Sequence, residues 1–97
     1  MEKSQNGQKS AETLAAQAFS WVTEDEGRLN AFMAMTGSAP ADIVRHAATA
    51  RFLGTVLDYI LTEDALVIAF CDSCALPYTS VMQARTALPG GEIWNWT

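Results

Sequence analysis

Apolar residues recur at intervals of three and four along most of this chain, which is the spacing of one face of an α-helix. The clearest stretch lies in residues 51–62 and has an apolar side and a polar side. The apolar side consists of Leu53, Val56, Leu57, Ile60 and Leu61, and the polar side of Arg51, Thr55, Asp58 and Thr62. No neighbouring segment alternates with a period of two, so the pattern predicts an all-α fold.

Capping residues divide the first half of the chain into three further helices. The first runs from about Ser10, its cap, to Thr23. The second opens at Thr23, whose following carboxylates suit the positive end of a helix dipole, and it stops at Gly37. The third opens at Ser38 and Pro40. Its predicted inner face consists of Ile43, Val44, Ala47 and Ala48.

Residues 65–71 form an uninterrupted apolar run, preceded by Thr62 as a helix cap with Glu63 and Asp64 in the first turn. A run of this length rich in Val and Ile is also compatible with a buried strand. A helix is favoured because no pairing strand is evident. Since the run is apolar on every side, it is predicted to be the buried centre of the domain.

A sixth helix starts at Pro77 and Tyr78 and ends at Pro89-Gly90-Gly91. Its predicted inward residues are Tyr78, Val81, Met82 and Leu88. The expected architecture is a compact orthogonal bundle of five to six short helices. It comprises a flexible N-terminal tail over residues 1–9, a helical domain over residues 10–91, and an aromatic tail over residues 92–97 that docks back on the core.

Length and charge limit the classes of protein to which this chain can belong. Its 97 residues suit one core, and a composition of 49% apolar and 18% charged residues is not that of a disordered chain. The formal net charge of -5 disfavours phosphate backbones and anionic membranes. Nucleic acid is therefore an improbable partner, and no membrane segment is expected, since the N-terminus lacks an apolar run and charges interrupt residues 52–71. The oligomeric state is left open.

Cys71 and Cys74 have the Cys-x-x-Cys spacing of redox and metal sites, but they fall late in a helix, where the dipole does not lower a thiol pKa. His46 alone does not complete a four-ligand zinc site. Core packing of both cysteines is favoured over metal or redox use. Two closely spaced cysteines also indicate a reducing, cytoplasmic compartment.

Catalytic constellations are not recognisable. His46 has no identifiable nucleophile beside it, the carboxylates at residues 24–26 and 63–64 are explained by helix starts, and Gly90-Gly91 follows a helix where a phosphate loop would precede one. The sequence therefore predicts a protein that is not an enzyme, with no cofactor, no metal site and no catalytic residue.

Residues 70–84 resemble a helix-turn-helix, with Ala75 at the turn position where glycine is usual. In such a regulator Gln83 and Arg85 are the candidate DNA contacts. One cation is few for phosphate anchoring, so a helical hairpin packed in its own core is favoured over DNA binding.

Trp94 and Trp96 follow the Gly90-Gly91 pair and are the candidate partner-binding residues, because tryptophan is enriched at interface hot spots. Docking on the chain's own core is the alternative for these two side chains. The leading functional hypothesis is a non-enzymatic protein-interaction module, and a degenerate helix-turn-helix regulator is the alternative.

A set of short motifs resembles a known family. The motifs are Phe52-Leu53-Gly54, Leu57-Asp58, Asp64-Ala65, Phe70-Cys71-Asp72, Leu76-Pro77, Arg85 and Ala87-Leu88-Pro89-Gly90-Gly91. They resemble a family of small proteobacterial proteins classed only as a domain of unknown function, over about Ala11 to the last residue. The resemblance implies a compact cytosolic helical protein and assigns no catalytic or ligand residue.

Overall fold

The computed structural model describes residues 2–47 and 49–88, with side chains described from Lys9 onward except at Ala48. These residues form six helices, α1 (Glu2–Thr23), α2 (Glu26–Thr36), α3 (Pro40–His46), α4 (Ala50–Ile60), α5 (Asp64–Cys74) and α6 (Ser80–Thr86). No strand occurs in them, which confirms the all-α prediction. The sequence interpretations of Ala48, of the Pro89-Gly90-Gly91 stop and of the aromatic tail lie outside the described residues.

Several helix starts differ from those predicted. α1 begins at Glu2, eight residues before the predicted cap Ser10, so residues 2–9 are helical. Glu, Lys and Gln are good helix formers, and extending an existing helix avoids the cost of nucleation. α2 is capped by Asp25 and not by Thr23, since the Asp25 carboxylate accepts the N–H of Arg28 at 3.3 Å. α5 starts after Glu63 instead of Thr62, and α6 starts at Ser80, three residues after Pro77.

The end of α2 and the start of α4 follow the expected local chemistry. Gly37 ends α2 in the left-handed conformation at φ 72°, as predicted, and its N–H bonds to the carbonyl of Met33. The Thr49 hydroxyl caps α4 by accepting the N–H of Phe52 at 3.1 Å. Both ends are therefore determined by residues within one turn of the helix.

The centre of the domain is α4, packed against α1, α2 and α6. Seven of its eleven residues are buried, namely Phe52, Leu53, Gly54, Val56, Leu57, Tyr59 and Ile60. α1 faces this core with Ala11, Ala15, Ala18 and Val22, which follow helical spacing and are all buried. Three of these four residues are alanines, so the backbone of α1 can approach its neighbours closely.

Four aromatic rings join α1, α2 and α4. Phe19 of α1 meets Phe52 of α4 edge to face at 5.2 Å between ring centroids, and Phe32 of α2 meets Phe52 and Tyr59 at 5.7 Å each. Edge-to-face pairs of this kind add about 0.5–1.5 kcal/mol each to the gain from buried area. This cluster fixes α2 on the core.

α5 is not the buried centre, and that prediction is wrong. Only Phe70 and Cys71 of its eleven residues are buried, and Phe70 reaches the ring of Trp21 in α1 at 5.6 Å. The helical conformation itself is as predicted. Burial differs because α4 already occupies the middle of the bundle, which leaves α5 a peripheral position where one face is covered.

Three other predicted inward residues are also exposed. Val44 of α3 is 82% exposed. Tyr78, which precedes α6, is 52% exposed, and Met82 within α6 is 56% exposed. The predictions for Val81 and Leu88 are confirmed, since both are buried. None of the helices within the described residues is long and apolar enough to cross a membrane.

Candidate functional site

The outer face of α5 is an exposed apolar surface. Ala65, Ile68, Ala69 and Asp72 share this face by helical spacing, opposite the buried pair Phe70 and Cys71, and all four are exposed. Ile68 is the largest apolar side chain on it and is 44% exposed.

The turn after α5 adds two further apolar side chains. Tyr78 is held beside α5 because its hydroxyl donates to Oδ1 of Asp72 at 2.8 Å. This hydrogen bond to the Asp72 carboxylate raises the pKa of the Tyr78 phenol. Met82 follows four residues later on α6 and is also exposed. We call Ala65, Ile68, Ala69, Tyr78 and Met82 together the α5–α6 surface.

Carboxylates border the α5–α6 surface. Glu63, Asp64 and Asp72 are all exposed, and residues 63–74 contain no Lys, Arg or His. The exposed side chains described on α6 are uncharged, since its only cation, Arg85, is buried. The surface is therefore apolar in the middle and negatively charged at its α5 edge.

A tight turn at Ala75 connects the two helices. Ala75 is left-handed at φ 56° and ψ 46°, and the N–H of Leu76 bonds to the carbonyl of Cys71 at 2.9 Å. This is the conformation that glycine usually supplies at a helix end. The sequence identified Ala75 as the turn position of a helix-turn-helix-like pair, and the turn does lie there.

Arg85 does not lie on a surface that DNA could reach. Its side chain is 7% exposed, and its Nε and Nη2 donate to the two carboxylate oxygens of Asp58 at 2.6 and 3.2 Å. This corrects the prediction that Arg85 is a candidate DNA contact. Gln83, the other predicted contact, is exposed on α6.

The guanidinium of Arg85 lies directly over Gly54 of α4. A Cβ atom on Gly54 would stand 2.8 Å from Nη1 of Arg85, which is too close. Gly54 and Asp58 are one helical turn apart, so they contact the same arginine side chain from one face of α4. Sequence reasoning placed Asp58 on the polar, outward side of α4. The available signal was a glycine and an aspartate four residues apart in the amphipathic helix α4.

The remaining predicted candidates do not come together. Cys71 is buried and Cys74 is half-buried, and both are free thiols. Burial raises the pKa of the Cys71 thiol, with Asp72 adding to the effect, which disfavours the reactive thiolate. His46 is exposed at the end of α3. The described part of the chain holds no cluster of three or more His, Cys, Asp or Glu side chains that could bind a metal ion. Trp94 and Trp96 lie outside it.

A family model described as "Protein of unknown function (DUF3572)" matches residues 8–91. No curated protein and no solved structure matches the chain. The match includes Gly54, Asp58 and Arg85 together with the whole α5–α6 surface.

Proposed function

The chain belongs to the family described as "Protein of unknown function (DUF3572)", and from that premise we propose that it is a non-enzymatic, cytoplasmic protein-interaction module. The observation that carries the proposal is the α5–α6 surface, where Ile68, Tyr78 and Met82 are each 44% exposed or more. Of the five large apolar side chains that are exposed in the described residues, three lie on α5, on α6 or in the turn between them. Contiguous exposed apolar groups are typical of surfaces that bind partners.

The chemistry of the α5–α6 surface favours a basic amphipathic helix as its partner. Ala65 and Ala69 allow another backbone to approach closely, while Ile68 and Met82 supply apolar anchors. The carboxylates of Glu63, Asp64 and Asp72 suit Lys or Arg residues that flank the apolar seam of such a helix. Recognition then resembles the binding of other amphipathic helices, in which apolar residues at helical spacing make the main contacts.

A second copy of this chain is a poorer partner for the same surface. A contact between two α5 helices would bring the carboxylates of residues 63, 64 and 72 in each copy toward each other, without a cation on either helix. Like charges at an interface reduce affinity. The partner is therefore a different, positively charged protein.

Two observations support the other parts of the proposal. The unpaired thiols of Cys71 and Cys74 fit a reducing compartment such as the cytoplasm. The buried, protonated Cys71 and the isolated, exposed His46 do not form a nucleophile and base, which supports a binding role over a catalytic one.

The ion pair of Arg85 argues against the nucleic-acid alternative. The exposed cations of the described residues, Lys9, Arg45 and Arg51, lie on three different helices. We expect no binding to a random DNA duplex library at low salt, where phosphate attraction is strongest. Binding under those conditions that is lost in Gln83→Ala would favour the regulator instead.

A displayed library of helix-forming peptides tests the proposed partner class. We expect the wild-type chain to enrich peptides with an apolar seam flanked by Lys or Arg. Ile68→Glu should weaken their binding at least about tenfold, which corresponds to about 1.4 kcal/mol. Val44→Glu is the matched control, because Val44 is an even more exposed apolar residue on α3, outside this surface.

The same peptides distinguish the α5–α6 surface from the tryptophans that the sequence singled out. Under the proposal, the double variant Trp94→Ala with Trp96→Ala binds the selected peptides as the wild type does. Loss of binding in that variant, with a circular dichroism spectrum that shows it to be folded and with retention of binding in Ile68→Glu, would assign recognition to the tail. Failure to enrich basic amphipathic peptides at all would contradict the proposal.

A further inference from the structure

A cleft of about 300 Å³ lies between α1 and α6, and its lining includes none of the residues of the α5–α6 surface. α1 contributes Ser10, Ala11 and Leu14, and α6 contributes Gln83, Ala84 and its C-terminal cap Ala87. A second depression that also includes Ser10 and Leu14 continues along α1 to Leu76. The small side chains of Ala11, Ala84 and Ala87 leave room for an aromatic ring between the two helices.

The chain leaves α6 at one end of this cleft. Ala87 lines the cleft and Leu88 is buried, so the described part of the chain ends beside the cleft. Nine residues reach about 30 Å when extended, whereas α6 from Ser80 to Ala87 is about 10 Å long. Gly90 and Gly91 permit the reversal that a return along the cleft requires.

The chemistry of this segment matches that of the cleft. Ile93, Trp94 and Trp96 are its apolar residues, and each tryptophan can bury about 150–250 Å². The cleft offers Leu14 and three alanines for contact with an indole ring. Gln83 has a carbonyl oxygen at its edge that can accept an indole N–H. Because the segment is tethered at Leu88, its effective concentration at the cleft is on the order of millimolar, which favours it over an untethered peptide.

We propose that residues 92–97 occupy the cleft between α1 and α6, with an indole ring of Trp94 or Trp96 against Leu14, Ala84 and Ala87. The cleft is then an intramolecular docking site, separate from the α5–α6 surface. The tryptophans that the sequence offered as a binding arm complete the core of the domain instead.

Nuclear Overhauser effects in the full-length protein test this placement. The indole resonances are assigned with Trp94→Phe and Trp96→Phe. We expect effects between the ring protons of Trp94 or Trp96 and the methyl groups of Leu14, Ala84 or Ala87. Indole signals without any such effect overturn the proposal, as do effects to Ile68 or Met82 that would place the segment on the α5–α6 surface.

A matched pair of leucine variants in 5-fluorotryptophan-labelled full-length protein gives a second measurement. Leu14→Ala should move the fluorine resonance of Trp94 or Trp96, whereas Leu66→Ala should not, although both leucines are half-buried. The resonance of buried Trp21 reports that each variant is folded. Equal effects of the two variants, or no effect of Leu14→Ala in a folded protein, overturn the proposal. If Leu14→Ala does not fold, the Overhauser measurement decides.

Discussion

α4 and α5 are adjacent helices of eleven residues each, and they have opposite roles in the fold. α5 is the more apolar of the two on average, yet it buries only two residues where α4 buries seven. The polar groups of α4 are confined mainly to one side, which leaves a wide apolar face for α1, α2 and α6. α5 buries the face that carries Phe70 and Cys71 and exposes the opposite face, which carries Ala65, Ile68 and Ala69.

The apolar content of a helix therefore does not determine how many of its residues are buried. Apolar content indicates that a segment can be buried, but burial requires neighbours on every side, and a domain of this size surrounds only one helix in this way. An apolar helix on the periphery therefore has a surplus apolar face. In α5 that face is bordered by carboxylates, which is why we interpret it as a recognition surface.

The largest expected difference in the free energy of unfolding is between the same isoleucine-to-alanine substitution in α4 and in α5. Ile60→Ala in α4 should lower the free energy of unfolding by about 2–5 kcal/mol, because Ile60 is fully buried and a cavity results. Ile68→Ala in α5 should change it by no more than about 0.5 kcal/mol, as is usual for a surface position. Urea denaturation measures both. A large loss for Ile68→Ala would mean that the outer face of α5 is covered in solution, and the comparison would fail.

A second pair concerns the aspartates of the two helices. Asp58→Ala should cost about 3 kcal/mol, because it leaves the charge of Arg85 buried without its partner carboxylate. Asp72→Ala removes a carboxylate whose partner Tyr78 is exposed, so a much smaller loss in the free energy of unfolding is expected.

A double-mutant cycle provides the control for the ion pair. Adding Arg85→Met to Asp58→Ala should recover part of the lost free energy of unfolding, since no unpaired charge then remains in the interior. Simple additivity of the two single losses would contradict a direct coupling between α4 and α6 through this pair.

The smallest expected effect concerns the end of α5. Ala75→Gly should raise the free energy of unfolding by about 0.5–1 kcal/mol, because alanine is strained at φ 56° and glycine is not. Ala69→Gly in the interior of the same helix should lower it by about 1 kcal/mol. Thermal or urea unfolding gives the two signs, and a loss in Ala75→Gly would contradict the left-handed turn.

Much of the fold follows from local patterns. The six helices, the Gly37 stop and the amphipathic α4 could be predicted because each depends on residues within one or two turns. The early start of α1 was missed since its first residues have no apolar periodicity. The exposure of Val44, Tyr78 and Met82 was missed because their spacing does not reveal which neighbours are present.

The candidate site was predictable only in part. The carboxylates that border α5 and the turn at Ala75 are visible in the sequence. The pairing of Arg85 with Asp58 joins residues 27 positions apart, so no local pattern indicates it. The outer face of α5 was missed because the apolar run of residues 65–71 does not indicate which side of the helix meets the core.

Residue spacing, charge and single residues such as Gly37 and Ala75 are sufficient to predict an acidic, all-α chain and its turns, because each acts within a short segment. Which apolar helix lies at the centre follows from how the helices pack against one another. Burial is shared among helices, and the sharp division between the two sides of α4 allowed several neighbours to pack there. The same packing buries Arg85 against Gly54 and leaves Ile68 exposed.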